Sequence, residues 1–379
     1  MKNRIPLLML LALPIFAAPA RAGVLPEDRA DVMYHRYEGG GVTIDGPSLL
    51  VRKKFAEKVA VSASYYVDMV SSASIDVVTT ASPYREERRQ YGTGLTYLRG
   101  RVTYSADFSN SRENDYTAST ASLAVSQDLF GDLTTVRLSF SRGWDDVRQR
   151  GAPDFTADID RRAWSIDVSQ IITRNLVAGA SWETVTEEGF LNNPYRQVRY
   201  LDSGSTLGYA FERERYPRTR TGNALAVRAK YYLPYRAALG GDYRFYTDTW
   251  GIQAHTFELN YTHPWRNRWV FDARLRYYTQ GEADFYRDLF PRSNFANFQA
   301  RDKELASFDG TSAGIGVSYE YTPARLRFLN RSTINFRYDR LRFRYDDFRD
   351  LRVRDVAAGT EPLYRLDASV FQFFVSGWF

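Results

Sequence analysis

Alternation is the feature that most constrains this chain. Apolar and polar residues exchange places at every second position, segment after segment, over most of the sequence. In KVAVSASYYVDMV, Val59, Val61, Ala63, Tyr65 and Val67 fall on one face, with Ala60, Ser62, Ser64, Tyr66 and Asp68 on the other. TTVRLSFS sets Val136, Leu138 and Phe140 against Thr135, Arg137, Ser139 and Ser141. WVFDARLRYY repeats the pattern, with Trp269, Phe271, Ala273, Leu275 and Tyr277 opposed to Asp272, Arg274 and Arg276. A period of two places successive side chains on opposite sides of an extended backbone, so each segment reads as a strand with one apolar and one polar face. The expected class is all-β.

The segments come in pairs whose connectors differ in length. Tight links are expected at Ala56-Glu57-Lys58, Arg99-Gly100, Phe130-Gly131-Asp132, Thr173-Arg174-Asn175, Pro234-Tyr235-Arg236 and Trp265-Arg266-Asn267. Longer polar stretches lie near 73–83, 147–158, 189–221, 286–304 and 349–362. Fifteen strands are clear, and a shorter one near 31–37, before the Gly39-Gly40-Gly41 turn, brings the total to roughly sixteen. A soluble sandwich also alternates, but it has no reason to sort its loops. Short turns at one end, long loops at the other, strands of about ten residues and aromatic residues near strand ends belong to a membrane barrel. We therefore expect a transmembrane antiparallel up-and-down β-barrel of 14–16 strands, with short periplasmic turns and long extracellular loops.

The two ends of the chain fit that expectation. Residues 1–22, MKNRIPLLMLLALPIFAAPARA, read as a cleaved signal peptide, with Lys2 and Arg4 before an apolar stretch and Ala20-Arg21-Ala22 as the cleavage motif. That leaves 23–379 as the barrel. Its closing strand, about 363–379, ends ASVFQFFVSGWF and would point Phe371, Phe373, Val375 and Phe379 outward, the terminal aromatic pattern of a barrel-assembly signal. The implied localisation is the outer membrane of a Gram-negative bacterium, with outer-membrane lipid and the barrel-assembly machinery as partners.

Composition excludes several function classes. With no cysteine, thiolate metal sites and cysteine nucleophiles are ruled out. The formal charge of +6 falls to +3 once Lys2, Arg4 and Arg21 are removed, too near balance to argue for a nucleic-acid partner. The basic and aromatic run FRYDRLRFRYDDFRDLRVRD is offset by Asp339, Asp346, Asp347, Asp350 and Asp355 and reads as a solvated strand extension.

Three segments, TIDGPSLLVRKKF, ERYPRTRTGNALAVRAKYYLPYRAAL and DTWGIQAHTFELNYTHPW, are similar to an uncharacterised bacterial family catalogued as domain of unknown function 3570. The resemblance spans essentially the whole mature chain. It implies an outer-membrane-type barrel and brings no catalytic residues.

Chemistry-bearing clusters are sparse. A barrel hydrolase needs a histidine beside a nucleophile or carboxylate, and His35, His255 and His263 are the three histidines. His263, beside Pro264-Trp265, reads as an interfacial residue at a turn. His255 alternates with Phe257, Leu259 and Tyr261 on the outward face, with no serine placed to serve it. Asp154, Asp158 and Asp160 lack the glycine and closing glutamate of a calcium loop. No enzyme activity, cofactor or metal is expected.

The informative set faces inward: Arg137, Asp167, Glu183, Arg228, Lys230, Asp242, Arg244, Glu258, Asp272, Arg274, Arg276, Glu320, Arg337 and Asp339. Seven are basic and seven acidic, so no ion preference follows. Such residues either fill a lumen with salt bridges or line a wet pore. The favoured expectation is a porin-like channel for small polar solutes, with the 189–221 stretch as a constriction or plug. The alternative is a structural or interaction barrel that holds an exported partner, such as a redox protein, at the membrane. A homo-oligomer is compatible with either.

Overall fold

The computed structural model describes residues 24–70, 86–323, 326, 328–353 and 355–379. The expected signal peptide and the polar stretch near 73–83 lie outside these residues. Among the described residues the chain forms eighteen strands. The first nine are β1 (Arg29–Gly39), β2 (Val42–Phe55), β3 (Val59–Val70), β4 (Glu86–Arg99), β5 (Val102–Arg112), β6 (Tyr116–Leu129), β7 (Thr134–Gln149), β8 (Ala152–Thr173) and β9 (Leu176–Gly189). Then come β10 (Gln197–Leu201), β11 (Tyr209–Arg213), β12 (Thr219–Tyr232), β13 (Ala238–Asp248), β14 (Gln253–Trp265), β15 (Trp269–Gln280), β16 (Phe308–Tyr321), β17 (Arg331–Arg349) and β18 (Leu363–Trp378).

Sixteen of them close into one antiparallel barrel, while β10 and β11 form a separate hairpin within the loop after β9. Neighbours in the sequence are neighbours in the sheet, and closure comes from β1 pairing with β18. Closure matters because it leaves no unpaired sheet edge, the one arrangement of strands that a bilayer tolerates. Ala56 and Glu57 between β2 and β3, and Arg266 and Asn267 between β14 and β15, all adopt positive φ. Two successive left-handed residues match the twist of the flanking strands and make the tightest of hairpins.

Cross-strand register shows that the apolar face points outward all round. Leu138 stands opposite Val125 and Ile166, Phe257 opposite Tyr243 and Tyr277, and Phe336 opposite Val317 and Phe373. All of these but the half-buried Tyr243 and Val317 are among the exposed large apolar residues, because nothing in the protein covers them. Phe371, Phe373 and Val375 of the closing strand lie in the same outward row as Tyr34 and Val32 of β1. Gly377 occupies the place where this row could take a bulkier residue. A Cβ there would meet Leu329 of the β16–β17 turn at 3.0 Å, so Leu329 fills the gap from outside.

The polar stretch 147–158 does not form a long loop. β7 runs to Gln149 and β8 begins at Ala152, joined by a tight turn with Gly151 at φ +85°. Asp154, Asp158 and Asp160 therefore sit on a strand. These two strands overshoot the apolar band, and their outer faces there become polar: Arg142 bridges Asp160 at 2.7 Å and Arg162 does so at 3.0 Å. With Asp154, Thr156, Asp158 and Asp160 all on the outer face, this part of the strand resembles a loop in composition, which is why the sequence misleads here.

Candidate functional site: a charged lumen under a built cap

Inside the barrel the polar faces converge, and the two halves of the wall differ. From β3 to β8 most inward positions are small, among them Ser62, Ser64, Gly92, Gly94, Ser105, Ser122 and Ser139, with Asp68, Arg88, Asp107 and Arg137 interspersed. From β8 to β17 they are ionic. All fourteen expected lumen residues project from the face opposite the apolar rows, by the register of their strands.

The charges pair along the wall rather than across the lumen. Arg228 donates to Asp167 at 2.9 Å, Arg274 donates to Asp339 at 2.7 Å, and Arg244 lies 3.6 Å from Glu183. One register row carries Arg228, Asp242, Glu258 and Arg276 side by side on β12, β13, β14 and β15. Salt bridges that filled the interior would bury these groups. Instead the Arg228, Arg244 and Glu183 side chains keep 43–51% of their accessible surface. Groups of that charge stay solvated where water reaches them. The middle of the barrel therefore leaves room for solvent around these charges.

Toward the loop end the inward face changes character. Tyr246, Tyr278, Phe308, Phe343, Tyr345, Tyr364 and Leu366 replace the ionic residues on β13, β15, β16, β17 and β18. Against them pack Tyr216, Trp250, Ile252, Tyr286 and Leu305 from the loops, forming the one extended apolar core of the described residues. This protein's hydrophobic core lies in its mouth.

The cap is built from three loops. Residues 190–218 carry the β10–β11 hairpin, which is tied to 281–307 through bridges at Tyr200–Phe290 and Arg215–Gln299. The third loop, 350–362, contributes Glu361. At their junction lies Arg199, a guanidinium with no exposed surface. It pairs with Asp288, and with Glu361 at 2.5 Å. Asp288 in turn accepts from Arg301 at 3.0 Å and from the Arg349 backbone N–H at the end of β17. Arg196 pairs with Asp302 close by. On its other flank the first loop reaches the opposite rim, where the Tyr195 hydroxyl donates to Asp115 between β5 and β6 and receives the Arg150 backbone N–H at 2.7 Å. The 190–218 loop thus spans the mouth from the β5–β8 side to the β15–β18 side.

Burial alone would push the Asp288 carboxyl up, but Arg301 and Arg199 outweigh it and hold it below the usual carboxylate range. Glu361 behaves the same way: burial raises it, and the hydrogen bond from Arg199 brings it below normal. Both acids are ionised in the closed cap. The Tyr216 phenol, buried among the loops and beside Glu214, is pushed well above its ordinary value and stays a neutral donor, 2.9 Å from Glu214.

The histidines take varied places. His255 projects outward beside Phe245, with its Nδ1 2.9 Å from the Tyr243 hydroxyl. His263 sits at the short-turn end between Tyr235 and Tyr261. His35 faces inward and is buried, stacked on Tyr66 with its Nε2 2.8 Å from Asp68. Nothing in the linear order of residues joins His35 to Asp68, because the pair depends on the register of β1 and β3 against β2. The stretch 336–355 also divides: Arg340, Arg342 and Arg344 lie on the outer face, while Phe343, Tyr345 and Phe348 enter the cap core. It is therefore only half a solvated extension. One sequence signal for the cap did exist, since strands whose inward positions turn aromatic near one end must meet something apolar there.

Comparison with known proteins agrees with this architecture. The family model described as "Protein of unknown function (DUF3570)" matches residues 11–163 and 144–339. No curated protein matches the chain. Among solved structures, the bacterial polysaccharide outer membrane secretin aligns at TM-score 0.50 and 9% identity, covering 94% of this chain and all of that one. OmpT, an outer membrane protein of Vibrio cholerae, gives 0.45 and 10%, with 94% and 100% covered. A Pseudomonas aeruginosa FadL homologue gives 0.44 and 10%, with 96% and 93% covered. At such identities the likeness is one of fold, that of outer-membrane β-barrels.

Proposed function

We propose that this chain, which belongs to the DUF3570 family, is a gated channel for small polar solutes in the outer membrane of a Gram-negative bacterium. One observation carries the reading: a lumen wall of half-exposed acidic and basic side chains lies beneath a cap held to the rim by side-chain contacts. A sixteen-strand barrel is wide enough for an aqueous path. Mixed charges such as Arg228, Asp242, Glu258 and Arg276 would bind polar solutes weakly and release them. Gating would consist of loosening the ties at Arg199 and Asp288, which are ionic and so respond to pH and salt. In this reading the loop end is extracellular, the short turns are periplasmic, and residues 1–22 are the cleaved export signal. No step is assigned to a catalytic residue.

The test is electrical. Purified protein in planar bilayers should show stepwise conductance with long closed intervals. A sealed bilayer after verified insertion rejects the channel. The buried ion-pair lattice of the cap favours a second reading, a permanently closed barrel that anchors an exported partner. Silent bilayers combined with a stable partner on mild detergent extraction would select it.

A further inference from the structure

The outer face carries a feature that a channel does not need. Over β12 to β17 an apolar groove of about 860 Å³ runs along the outside of the barrel. Its floor is made of small residues, Ala229, Gly241 and Ala313, and its walls include Tyr243, Phe257 and Leu275. Six adjacent strands span roughly 24 Å at the usual strand spacing. That width takes several acyl chains side by side.

Arg340 and Arg342 line the same groove. They sit on the outer face of β17, in one row with Ile334, Phe336 and Tyr338, and their side chains are 49% and 52% exposed. A guanidinium facing hydrocarbon is strongly disfavoured, so this row crosses from acyl chains to headgroups just beyond Tyr338. The two arginines share one carboxylate, Asp367, at 3.4 and 3.0 Å, and Arg340 also donates to Ser369 at 3.1 Å. One cationic charge is left over at the groove edge. Arg344 follows on the same face, directly opposite Asp309, which accepts from Tyr277 at 2.9 Å, and Asp346 lies further toward the loops.

We propose that this groove binds a phosphorylated, multiply acylated lipid of the outer leaflet. Arg340 and Arg342 would hold a phosphate, since guanidinium forks match its oxygens. The acyl chains would fill the trough over Gly241 and Ala313. A lipid seated there would staple six strands, including those whose upper ends form the cap core.

The experiment uses the full barrel in phosphatidylcholine nanodiscs doped with a bisphosphorylated, multiply acylated glucosamine lipid. Lipid retained after detergent extraction is counted by native mass spectrometry, and heat-modifiable electrophoretic mobility verifies folding of each variant. The wild type should retain the lipid, and R340Q/R342Q should retain it at least tenfold less. A313W, which fills the trough but keeps both arginines, should lose it as well. R89Q, an outward arginine on β4 across the barrel, should not. Equal retention by R340Q/R342Q, an equal loss in R89Q, or equal retention of phosphatidylglycerol in place of the glucosamine lipid would each overturn the proposal. Should A313W not fold, the arginine variants and the phosphatidylglycerol comparison decide alone.

Discussion

Arg199 and Glu361, 162 residues apart in sequence, meet in a fully buried ion pair at 2.5 Å that joins two loops over the barrel mouth. Removing one partner of such a pair leaves an uncompensated charge in a dry place and costs about 3–5 kcal/mol. R199A strands Glu361 and leaves Asp288 to Arg301 at the loop junction, so the cap should release while the barrel, whose strands it does not touch, stays closed. Limited proteolysis should then cut within 190–218 much faster than in the wild type, with heat-modifiable mobility unchanged. In bilayers the same variant should spend more time open. Equal protease resistance would show that Arg199 does not hold the cap.

Acidification should act in the same direction. Asp288 and Glu361 are both held below their ordinary values, burial being outweighed by Arg301 and Arg199. A carboxylate whose folded pKa is depressed stabilises the folded cap at all pH above its unfolded value, near 3.9 for Asp and 4.3 for Glu. That contribution is lost as pH falls through the lower, folded value. Conductance should therefore be indifferent to pH between 5 and 8 and rise as the solution is taken below about pH 4. In R199A this acid response should be largely gone. A wild type that opens instead on alkalinisation would contradict the assignment.

How much of this was legible beforehand follows from which interactions are periodic. The barrel strands announced themselves because each residue reports its face independently: Leu138 out, Ser139 in, Phe140 out. The inward charges followed from the same rule, down to Asp339. The cap did not, since Arg199, Asp288 and Glu361 belong to loops without a repeat, and their meeting depends on three chain folds at once. Between these extremes stands the run from Asp154 to Asp160. There alternation persists, with Phe155, Ala157 and Ile159 facing in, but the outward face is polar because the strand has left the apolar band, and local composition imitates a loop.

The two faces can be told apart by one residue step. Leu138 is 55% exposed on the outer face, and its neighbour Ser139 turns inward to Ser165 at 2.7 Å. L138R places a guanidinium against hydrocarbon, at about 2–4 kcal/mol near the midplane. S139R places the same group in the lumen beside small residues and should cost far less. Urea unfolding in lipid vesicles should show a lowered midpoint for L138R and a near-native one for S139R. The reverse order would mean that the apolar face does not meet lipid.

The charged row of β12 to β15 offers the sharpest test of conduction. Arg228, Asp242, Glu258 and Arg276 stand side by side, so the wild-type row is neutral. D242N/E258Q removes both acids with almost no change in volume and leaves two arginines facing the water. Two unit charges a few ångströms from a passing ion in water-like surroundings contribute about 1 kcal/mol each, or roughly a fivefold change in ion preference per charge. Under a potassium chloride gradient the reversal potential should move toward chloride, and R228Q/R276Q should move it toward potassium. Opposite shifts from the two pairs identify this wall as the lining of the path. If neither pair moves the potential while single-channel steps persist, the current runs elsewhere, and the lumen is not the conductor.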